Sequence, residues 1–485
     1  MFYWFIFLFS SFVVIFQRWR YNYWSKFDVN GPFPVPFLGT SYLYLWKPIH
    51  VVESELVKQF GSIVGLYEGS QPVLMVSDPE MIKVIAQKEF QSFPQSFTFS
   101  NYKHSTENLF PELIWGSRWK CSRGQITQCF TVSKLRKFFP TFEKCTEILI
   151  DSLNEEVKVR DTIEMKTFWS KYYCDTIFQF CLTLDAHSYS SKDNIIFEKM
   201  IDLSRPFVSS YMMNMFLPEW FIKLFHLSVL DKSSLDYMEK LISHLIVMRS
   251  SRSTINSTDV LNRLLIQNDS SSTETTTDQQ LTEIELIASV IDLLFNGFET
   301  SSSLLSWCCW RLALNPECQN RLAQEIDSIG TFNYDNISSA PYLDAVINES
   351  LRIDPPETRN ERVCHSSYHH LETNIVIPKG AKVLMPIYSM HHDPVNFPDP
   401  ETFNPDRFLP ENRESIQPFT FIPFGTGYRA CIGIKYALIV SKLALAKLIK
   451  SYRLIVTPST TINVDYDWGS ILLCAKEINV GIEKR

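Results

Sequence analysis

One long apolar segment constrains the fold of this chain more than any other feature. Residues 287–314 are largely apolar, and Thr282 and Glu285 before them have the T-x-x-E spacing of a capping box at a helix start. Asn315 and Pro316 end the segment and are suited to opening another helix. A helix of about 30 residues would be about 45 Å long, which is enough to cross a whole domain. We therefore predict a large helical domain built around this helix.

The rest of the sequence adds a small amount of β-structure. Residues 63–67 and 73–76 alternate in polarity and predict a β-hairpin. The chain has 485 residues, of which 45% are hydrophobic and 20% charged, as in ordinary globular proteins. Neither an internal repeat nor a second regime of composition divides it. The predicted fold class is mainly α, with a small β-rich portion.

Charge and cysteine content exclude several classes of protein. The net charge is −7 and no long basic block occurs, which argues against a nucleic-acid partner. The eleven cysteines include no C-x-x-C pair, so they match neither a zinc framework nor a small disulfide scaffold. Reduced thiols in a protein facing the cytosol are the simplest interpretation.

The N-terminus differs from the rest of the chain. Residues 2–16 are uncharged, and Arg18, Arg20 and Lys26 follow them. Because the charges follow the apolar run, we predict an uncleaved membrane anchor with the body on the cytosolic side. A buried first helix is the alternative. Three prolines within residues 31–36 cannot continue a helix and predict a stiff connection. The predicted boundaries are an anchor at 1–20, a hinge at 21–40 and a globular domain at 41–485.

A cluster of helix-disturbing residues lies inside the long apolar segment. Gly297 lowers helix stability by about 1 kcal/mol relative to alanine, and Glu299 and Thr300 place an acid and a hydroxyl in apolar surroundings. A threonine side chain can bond the carbonyl one turn earlier and bend the helix. One interpretation is a proton relay in a gap beside a bound ligand. The other is a kinked core helix with an exposed glutamate.

A glutamate–arginine pair precedes a proline break. Glu349 and Arg352 are three residues apart, so they can pair on one face of a helix. Such a pair is usually a surface feature of little energy. If Arg407, in a proline-stiffened aromatic loop, reaches Glu349, the three form a buried network that fixes geometry.

One cysteine lies just ahead of a helical pattern. Cys431 follows Gly425 and Gly427, which permit turns, and apolar residues at helical spacing begin at Ile434. A helix N-terminus stabilises a thiolate, and Gly433 would let backbone N–H groups approach the sulfur. Such a thiolate is suited to ligating a metal. The alternatives are an inert buried cysteine or a nucleophile, which would need a base such as His391 or His392.

Together these residues resemble the cytochrome P450 family of haem-thiolate monooxygenases. Four motifs carry the resemblance: Phe424-x-x-Gly427-x-Arg429-x-Cys431-x-Gly433, Glu349-x-x-Arg352, Gly297-x-Glu299-Thr300 and Trp119-x-x-x-Arg123. The sequence RNERVC at 359–364 is similar to the animal branch that includes broad-range drug and steroid oxidisers. The resemblance implies the P450 fold, with haem between two long helices.

The resemblance also implies a role for each matching residue. Cys431 would be the axial ligand of haem b (heme b), whose electron donation favours O–O cleavage. Other residues would contact the haem or its propionates: Trp119, Arg123, Arg362, Phe424, Arg429 and Gly433. Glu299 and Thr300 would deliver protons during O2 activation. Glu349, Arg352 and Arg407 would support the cysteine loop.

One position departs from the family pattern. Asn296 stands where the family usually has alanine or glycine, and Asp292 lies one turn earlier on nearly the same stripe. Asp292, Asn296 and Thr300 would then form a polar ridge that binds a polar or basic substrate, or Asn296 would compete for the iron. In the alternative interpretation Asn296 turns toward the helix backbone and Asp292 binds loops above it.

The implied partners are those of a microsomal enzyme. Electrons would come from NADPH through NADPH–cytochrome P450 reductase, with cytochrome b5 as a second redox partner, and the location would be the endoplasmic reticulum membrane. Basic residues suited to the reductase's acidic face are Lys120, Lys134, Arg136, Lys137 and Lys435. The expected pocket walls lie at 99–110, 207–225, Leu293, 356–358 and 471–472, and lipophilic substrates are expected.

Two other functions stay open at this point. A haem-thiolate isomerase or dehydratase could rearrange a peroxide without O2, and a haem-binding protein could act without turnover. Intact Glu299 and Thr300 argue against the first.

Overall fold

The computed structural model describes most of the chain. The described residues are 3–4, 11–13, 15, 21–96, 106–189, 194–204, 221, 224–225, 230–250, 258–270, 280–466, 472–473 and 475–485. Their α-helices are α1 (Ile49–Phe60), α2 (Pro79–Lys83), α3 (Gly116–Thr127), α4 (Val132–Glu156), α5 (Met165–Leu182), α6 (Ile195–Ser204), α7 (Lys232–Ser250), α8 (Val260–Ser270), α9 (Glu283–Leu314), α10 (Pro316–Ser328), α11 (Tyr334–Ser339), α12 (Pro341–Ile353), α13 (Ile387–His391) and α14 (Ile434–Ser451).

The β-strands form three small sheets. The strands are β1 (Ile63–Glu68), β2 (Gln71–Val76), β3 (Thr162–Glu164), β4 (Asn360–Val363), β5 (Tyr368–His370), β6 (Ile375–Ile377), β7 (Lys382–Met385), β8 (Tyr452–Ile455) and β9 (Asn479–Lys484). Their orders are β1-β2-β7-β4, β3-β9-β8 and β5-β6. The predicted hairpin is confirmed, since β1 and β2 pair antiparallel with Ile63 opposite Val76. The mainly α fold class is also confirmed.

The long helix α9 lies at the centre of the helical layer. Its 32 residues begin at the predicted capping box, in which Thr282 and Glu285 bond each other's backbone. Most of its side chains are buried, so nearly every face packs against protein or lines an internal cavity. Gly297 lets α5 approach closely, because a Cβ there would lie 2.8 Å from Cδ1 of Ile177. The glycine therefore permits tight packing against α5, where the sequence had suggested a gap.

The N-terminal predictions are only partly within the described residues. Of the predicted anchor, only residues 3–4, 11–13 and 15 are described. Among all described residues, no helix combines the length and apolar character needed to span a bilayer. The segment after the predicted anchor packs on the β1–β2 hairpin: Trp24 is buried and its indole N–H donates to the Leu66 carbonyl at 2.9 Å. The boundaries at 20 and 40 stay predictions.

Candidate active site

A cavity of about 350 Å³ lies between α9 and the loop that carries Cys431. Many of the predicted site residues line it: Trp119, Arg123, Asp292, Asn296, Glu299, Thr300, Phe424, Arg429, Cys431 and Gly433. Phe110, Leu293, Pro356 and Leu472, from the predicted pocket walls, line it too. Residues 99–105, Ile471 and most of 207–225 lie outside the described part of the chain, so their predicted contribution stays untested.

The cysteine loop is shaped by a glycine that no other residue can replace without strain. Gly427 has φ of +73°, and a Cβ there would lie 2.0 Å from the Ala86 carbonyl oxygen. Ala86 belongs to a π-helical turn, Val84–Lys88. Because both the backbone angle and the contact demand glycine, this position fixes the loop against the turn. The loop is closed by the Cys431 N–H, which donates to the Phe424 carbonyl at 2.8 Å.

The Cys431 sulfur faces the cavity from the start of α14. Gly433 caps this helix, and an ideal Cβ there would be 3.8 Å from Sγ, so the backbone passes close to the sulfur. Cys431 is exposed because it forms part of the cavity wall. Burial raises the pKa of the Cys431 thiol, while the N–H groups of Gly433 and Ile434 and the charge of Arg123 act in the opposite direction. These donors can stabilise an anionic sulfur that a metal cation also binds.

Three arginines lie around the same cavity without acidic partners. Among the described residues, no carboxylate lies within ion-pair distance of Arg123, Arg362 or Arg429. Burial, followed by the positive charges of Arg362 and Arg123, lowers the pKa of Arg429 to about 9. Burial lowers the pKa of Arg362 to about 10. This arginine cluster therefore concentrates positive charge at one side of the cavity, which suits a bound ligand with anionic groups.

These arginines are not equivalent. Arg429 donates to the carbonyls of Pro94, Pro111 and Ile114 at 2.8, 3.2 and 2.7 Å, and so ties three loop segments together. Arg123 donates to the Ala430 carbonyl at 2.6 Å, beside the cysteine.

Arg362 is fully buried one layer behind the cavity wall. It donates to the Thr426 carbonyl at 3.1 Å, and its buried Nε has no hydrogen-bond partner in the described chain. A haem propionate would supply acceptors and negative charge to this cluster, so the donor set fits haem.

Trp119 packs under Arg429 inside this cluster. The Arg429 guanidinium carbon lies 4.2 Å from the centre of the Trp119 ring, which is a cation–π contact. The helix α3 that carries Trp119 also carries Arg123, one turn further on. The tryptophan therefore positions Arg429, in addition to the predicted contact with the haem.

The acid and the alcohol of the long helix have different partners. Thr300 Oγ1 donates to the Asn296 carbonyl at 2.6 Å, which is the back-bond predicted from the sequence. The Glu299 side chain is 6% exposed and pairs with Lys166 Nζ at 3.2 Å. Lys166 lies in the first turn of α5 and was not foreseen. The predicted proton-transfer pair thus sits at the cavity with its acid held by a lysine.

The predicted polar ridge is present and has a further member. The Asn296 amide donates to Asp292 Oδ1 at 2.9 Å and to Glu112 Oε2 at 3.4 Å, so it does not turn toward the helix backbone. Burial, and then the charge of Glu112, raises the pKa of Asp292. Burial raises the pKa of Glu112 to about 7. Glu112 precedes Asn296 by 184 residues and belongs to no motif, so the sequence contained no signal for it.

Glu349 and Arg352 form the buried centre of the supporting network. Arg352 binds both carboxylate oxygens of Glu349 at 2.8 Å, and both side chains are fully buried. Arg407 reaches Glu349 at 3.6 Å, as the sequence suggested it would.

His391 connects this network to the cysteine loop. Its Nδ1–H donates to the Arg352 carbonyl at 3.1 Å, while its Nε2 accepts the Ile422 N–H at 3.1 Å. Because both ring nitrogens are engaged, His391 cannot act as the base of a Cys431 nucleophile. Burial and the nearby Arg352 charge hold its pKa well below the usual value, which keeps the ring neutral.

Comparisons with known proteins give the same assignment along the whole chain. The Cytochrome P450 family model matches residues 29–482. Cytochrome P450 3A28 of Bos taurus is 31% identical over 90% of this chain and 87% of its own length. Cytochrome P450 3A56 of Fundulus heteroclitus is 30% identical over 98% of this chain and 97% of its own. Cytochrome P450 3A27 of Oncorhynchus mykiss is 32% identical over 99% of this chain and 93% of its own length.

These relatives confirm the family and the animal branch inferred from the sequence motifs. The chain belongs to the cytochrome P450 family and is a haem-thiolate monooxygenase, whose haem iron is bound by a thiolate and whose electrons are supplied by a reductase.

Proposed function

We propose that Cys431 is the thiolate ligand and that Arg123, Arg362 and Arg429 hold the haem propionates. The observation that carries this assignment is the arrangement around one cavity. A sulfur lies at a helix N-terminus, and buried guanidiniums have no carboxylate within ion-pair distance among the described residues. When bound, the haem supplies the O2 chemistry. The chain's own contribution is to hold the sulfur anionic, to neutralise the propionates and to exclude water through apolar walls such as Phe424 and Leu304.

Thr300 and Glu299 are proposed to move protons during turnover. Thr300 Oγ1 can rotate between the Asn296 carbonyl and a partner in the cavity, because a hydroxyl both donates and accepts. Glu299 and Lys166 form a charged pair that joins the cavity wall to the partly exposed start of α5. We propose that protons enter beside Lys166 and pass through Glu299 to the cavity.

The network Glu349–Arg352–Arg407 is proposed to hold the cysteine loop in place. Arg352 donates to the His391 carbonyl at 2.9 Å, and His391 bonds the backbone just before the loop. The path from α12 to the loop is thus continuous through hydrogen bonds, which supports a positioning role.

The substrate and partners are proposed from the surface and the cavity. The apolar walls favour a lipophilic organic substrate that receives one oxygen atom from O2, with NADPH as the source of electrons. Lys120, Lys137 and Lys435 are exposed and suit an acidic reductase surface, and cytochrome b5 would use similar charges. We further propose an anchor at 1–20, a connection at 21–40, and a catalytic domain at 41–485 on the cytosolic side of the endoplasmic reticulum membrane.

The test is the absorption spectrum of the reduced, CO-bound protein. The wild-type protein should show the thiolate-type Soret band, and Cys431→His should lose it while still binding haem. Cys318→Ser, a half-buried cysteine away from the cavity, is the matched control and should leave the band unchanged. An unaltered band in Cys431→His, or a colourless protein after haem supplementation, would contradict the assignment.

A further inference from the structure

Carboxyl groups without cations distinguish one part of the cavity wall. Glu112 and Asp292 line the cavity, and neither forms an ion pair with any residue of the described chain. Most other well-buried carboxylates have a cation within 4 Å. Such pairs include Glu53–Arg359, Asp259–Arg249, Glu349–Arg352 and Asp354–Arg311. Glu112 and Asp292 therefore differ from most buried carboxylates of the described chain, which are neutralised by a nearby cation.

Asn296 holds the two carboxyls together and leaves acceptor atoms unused. Its amide nitrogen donates to one oxygen of each. Across the described residues, the second oxygen of Asp292, the second oxygen of Glu112 and the Asn296 amide oxygen have no hydrogen-bond partner. Asp292 is only 6% exposed, and it borders the cavity. A group this buried with a free acceptor requires a donor from a ligand or a bound proton.

The electrostatics of the cluster agree with this geometry. Burial raises the pKa of Glu112 to about 7, with Asn296 and Arg429 acting in the opposite direction. Glu357, also on the cavity wall, is a third carboxyl near the cluster, and burial and then Glu112 raise its pKa to about 8. A cationic ligand bound between Glu112 and Asp292 would relieve the repulsion between the two carboxylates.

The chemistry of the acceptors selects an organic ammonium over a metal ion. Calcium takes six to eight oxygen ligands, which two carboxyls and one amide do not supply. No group of three His, Cys, Asp or Glu side chains suited to a metal occurs in the described part of the chain. An ammonium group has up to three N–H donors, matching the three free acceptors. The remaining walls are apolar, such as Phe110, Leu293 and Phe295, and suit a hydrocarbon body.

We propose that Glu112, Asn296 and Asp292 bind the basic nitrogen of the substrate, so that this enzyme selects lipophilic amines. The proposal rests on the proposed function of the cavity as the oxidation site. It also predicts where oxidation occurs. Asp292 and Thr300 are two turns apart, about 12 Å along the helix axis. An amine held at Asp292 therefore presents to Thr300 a carbon several bonds from the nitrogen.

The experiment compares two probes that differ in charge. Dissociation constants of the haem-loaded enzyme are measured by equilibrium dialysis for 4-phenylbutylamine and for the neutral 4-phenylbutan-1-ol. The variants are Asp292→Asn and Glu112→Gln, which keep the shape but remove one ionisable carboxyl each. Asp175→Asn is the matched control, because Asp175 is 5% exposed but lies outside the cavity lining.

The wild-type enzyme and the control should bind the amine at least about tenfold more tightly than the alcohol. Either cavity variant should lose about tenfold in amine affinity and keep its affinity for the alcohol. Equal affinity for both probes, or a preference that survives in both variants, would overturn the proposal. So would a Soret band that moves to longer wavelength on amine binding, since the nitrogen would then be on the iron.

The same probes separate this inference from the proposed function. If the alcohol is oxidised with NADPH and reductase but the amine is not preferred, only the amine site is wrong. If the enzyme oxidises neither probe and lacks the thiolate-type CO spectrum, the assignment of the cavity fails as well.

Discussion

Two buried clusters of acidic side chains in this molecule are built on opposite principles. At Glu349, both carboxylate oxygens are bound by Arg352, and the pair is fully buried. At Asp292, the carboxyl accepts one hydrogen bond, from Asn296, and no cation of the described residues lies within ion-pair distance. The first cluster lies behind the cysteine loop, and the second lies in the cavity wall.

The presence or absence of a cationic partner distinguishes a carboxylate with a structural role from one that can bind a ligand. A buried ion pair such as Glu349–Arg352 adds little net stability to the protein. Removing one partner nevertheless destabilises the protein strongly, because the other charge stays buried without compensation. An unpaired buried carboxyl destabilises the fold and persists where another role retains it. Removing charge should therefore have opposite effects in the two clusters, and four predictions test this contrast.

The largest effect is expected for Arg352→Ala. It leaves Glu349 buried without its bidentate partner and cuts the link to His391, so the free energy of unfolding should fall by about 3–5 kcal/mol. The measurement is chemical denaturation, together with the fraction of protein that retains haem. Arg321→Ala is the control, because its pair with Asp406 is exposed and should change stability by less than about 1 kcal/mol. Equal effects in the two variants would remove the contrast.

The opposite sign is expected for Glu112→Gln in the apoprotein. The folded-state pKa of Glu112 is raised to about 7, from a usual 4.5. Between these values the folded state holds the proton more tightly, so stability is lost as pH rises from about 4.5 to about 7. The glutamine variant lacks this loss and should be more stable than wild type at pH 8, by about 1–3 kcal/mol. Urea denaturation at pH 5 and pH 8 measures the difference.

A paired carboxylate supplies the control for that pH dependence. Burial alone would raise the pKa of Glu285, but hydrogen bonds from Arg118 and Thr282 outweigh it and lower the pKa. Stability from Glu285 is therefore present above its usual pKa and is lost as pH falls through the lowered value. Glu285→Gln should be less stable than wild type at pH 8. A gain in stability for both glutamine variants would contradict the distinction.

A smaller effect is expected for Arg407→Ala. Arg407 lies 3.6 Å from Glu349 and is partly exposed, so it adds to the network without completing it. The free energy of unfolding should fall by about 1 kcal/mol, well below the loss in Arg352→Ala. Thermal unfolding of the two variants side by side checks the order. A loss as large as that of Arg352→Ala would mean that Arg407 is essential to the closed network.

The smallest change in stability is expected for Asn296→Ala. The amide that joins Asp292 and Glu112 is lost, but water in the cavity can donate to the freed carboxyl oxygens, so stability should change by less than about 1 kcal/mol. Substrate preference or the resting iron spin state should change, because the ridge faces the cavity. Dissociation constants and the ferric absorption spectrum are the measurements. Unchanged values of both would show that the ridge does not contact ligands.

The sequence predicted those parts of the site whose partners are close along the chain. The capping box at Thr282 and the Glu349–Arg352 pair span three residues each, and the Thr300 back-bond spans four. At such spacings helix geometry alone brings the side chains together. The cysteine ahead of α14 was predictable for the same reason, because glycine positions and helix periodicity are local features.

The sequence did not predict the partners that arrive from other elements. Lys166 reaches Glu299 from α5, and Glu112 reaches Asn296 from a segment 184 residues earlier. His391 as the link between Arg352 and the cysteine loop was missed as well. These contacts depend on how helices and loops pack, and no spacing along the chain encodes them.

By itself, the sequence determined the family, the central helix and the thiol at a helix N-terminus, because local backbone preferences and side-chain periodicity specify each of them. Only the tertiary structure decided which buried charges are neutralised. Glu349 and Asp292 look alike in the sequence, as acids within apolar helices. They differ in the fold because Arg352 packs against Glu349, whereas Asp292 borders the cavity. The reason is physical: the energy of a buried charge depends on what lies within a few ångströms of it, and that is set by the fold.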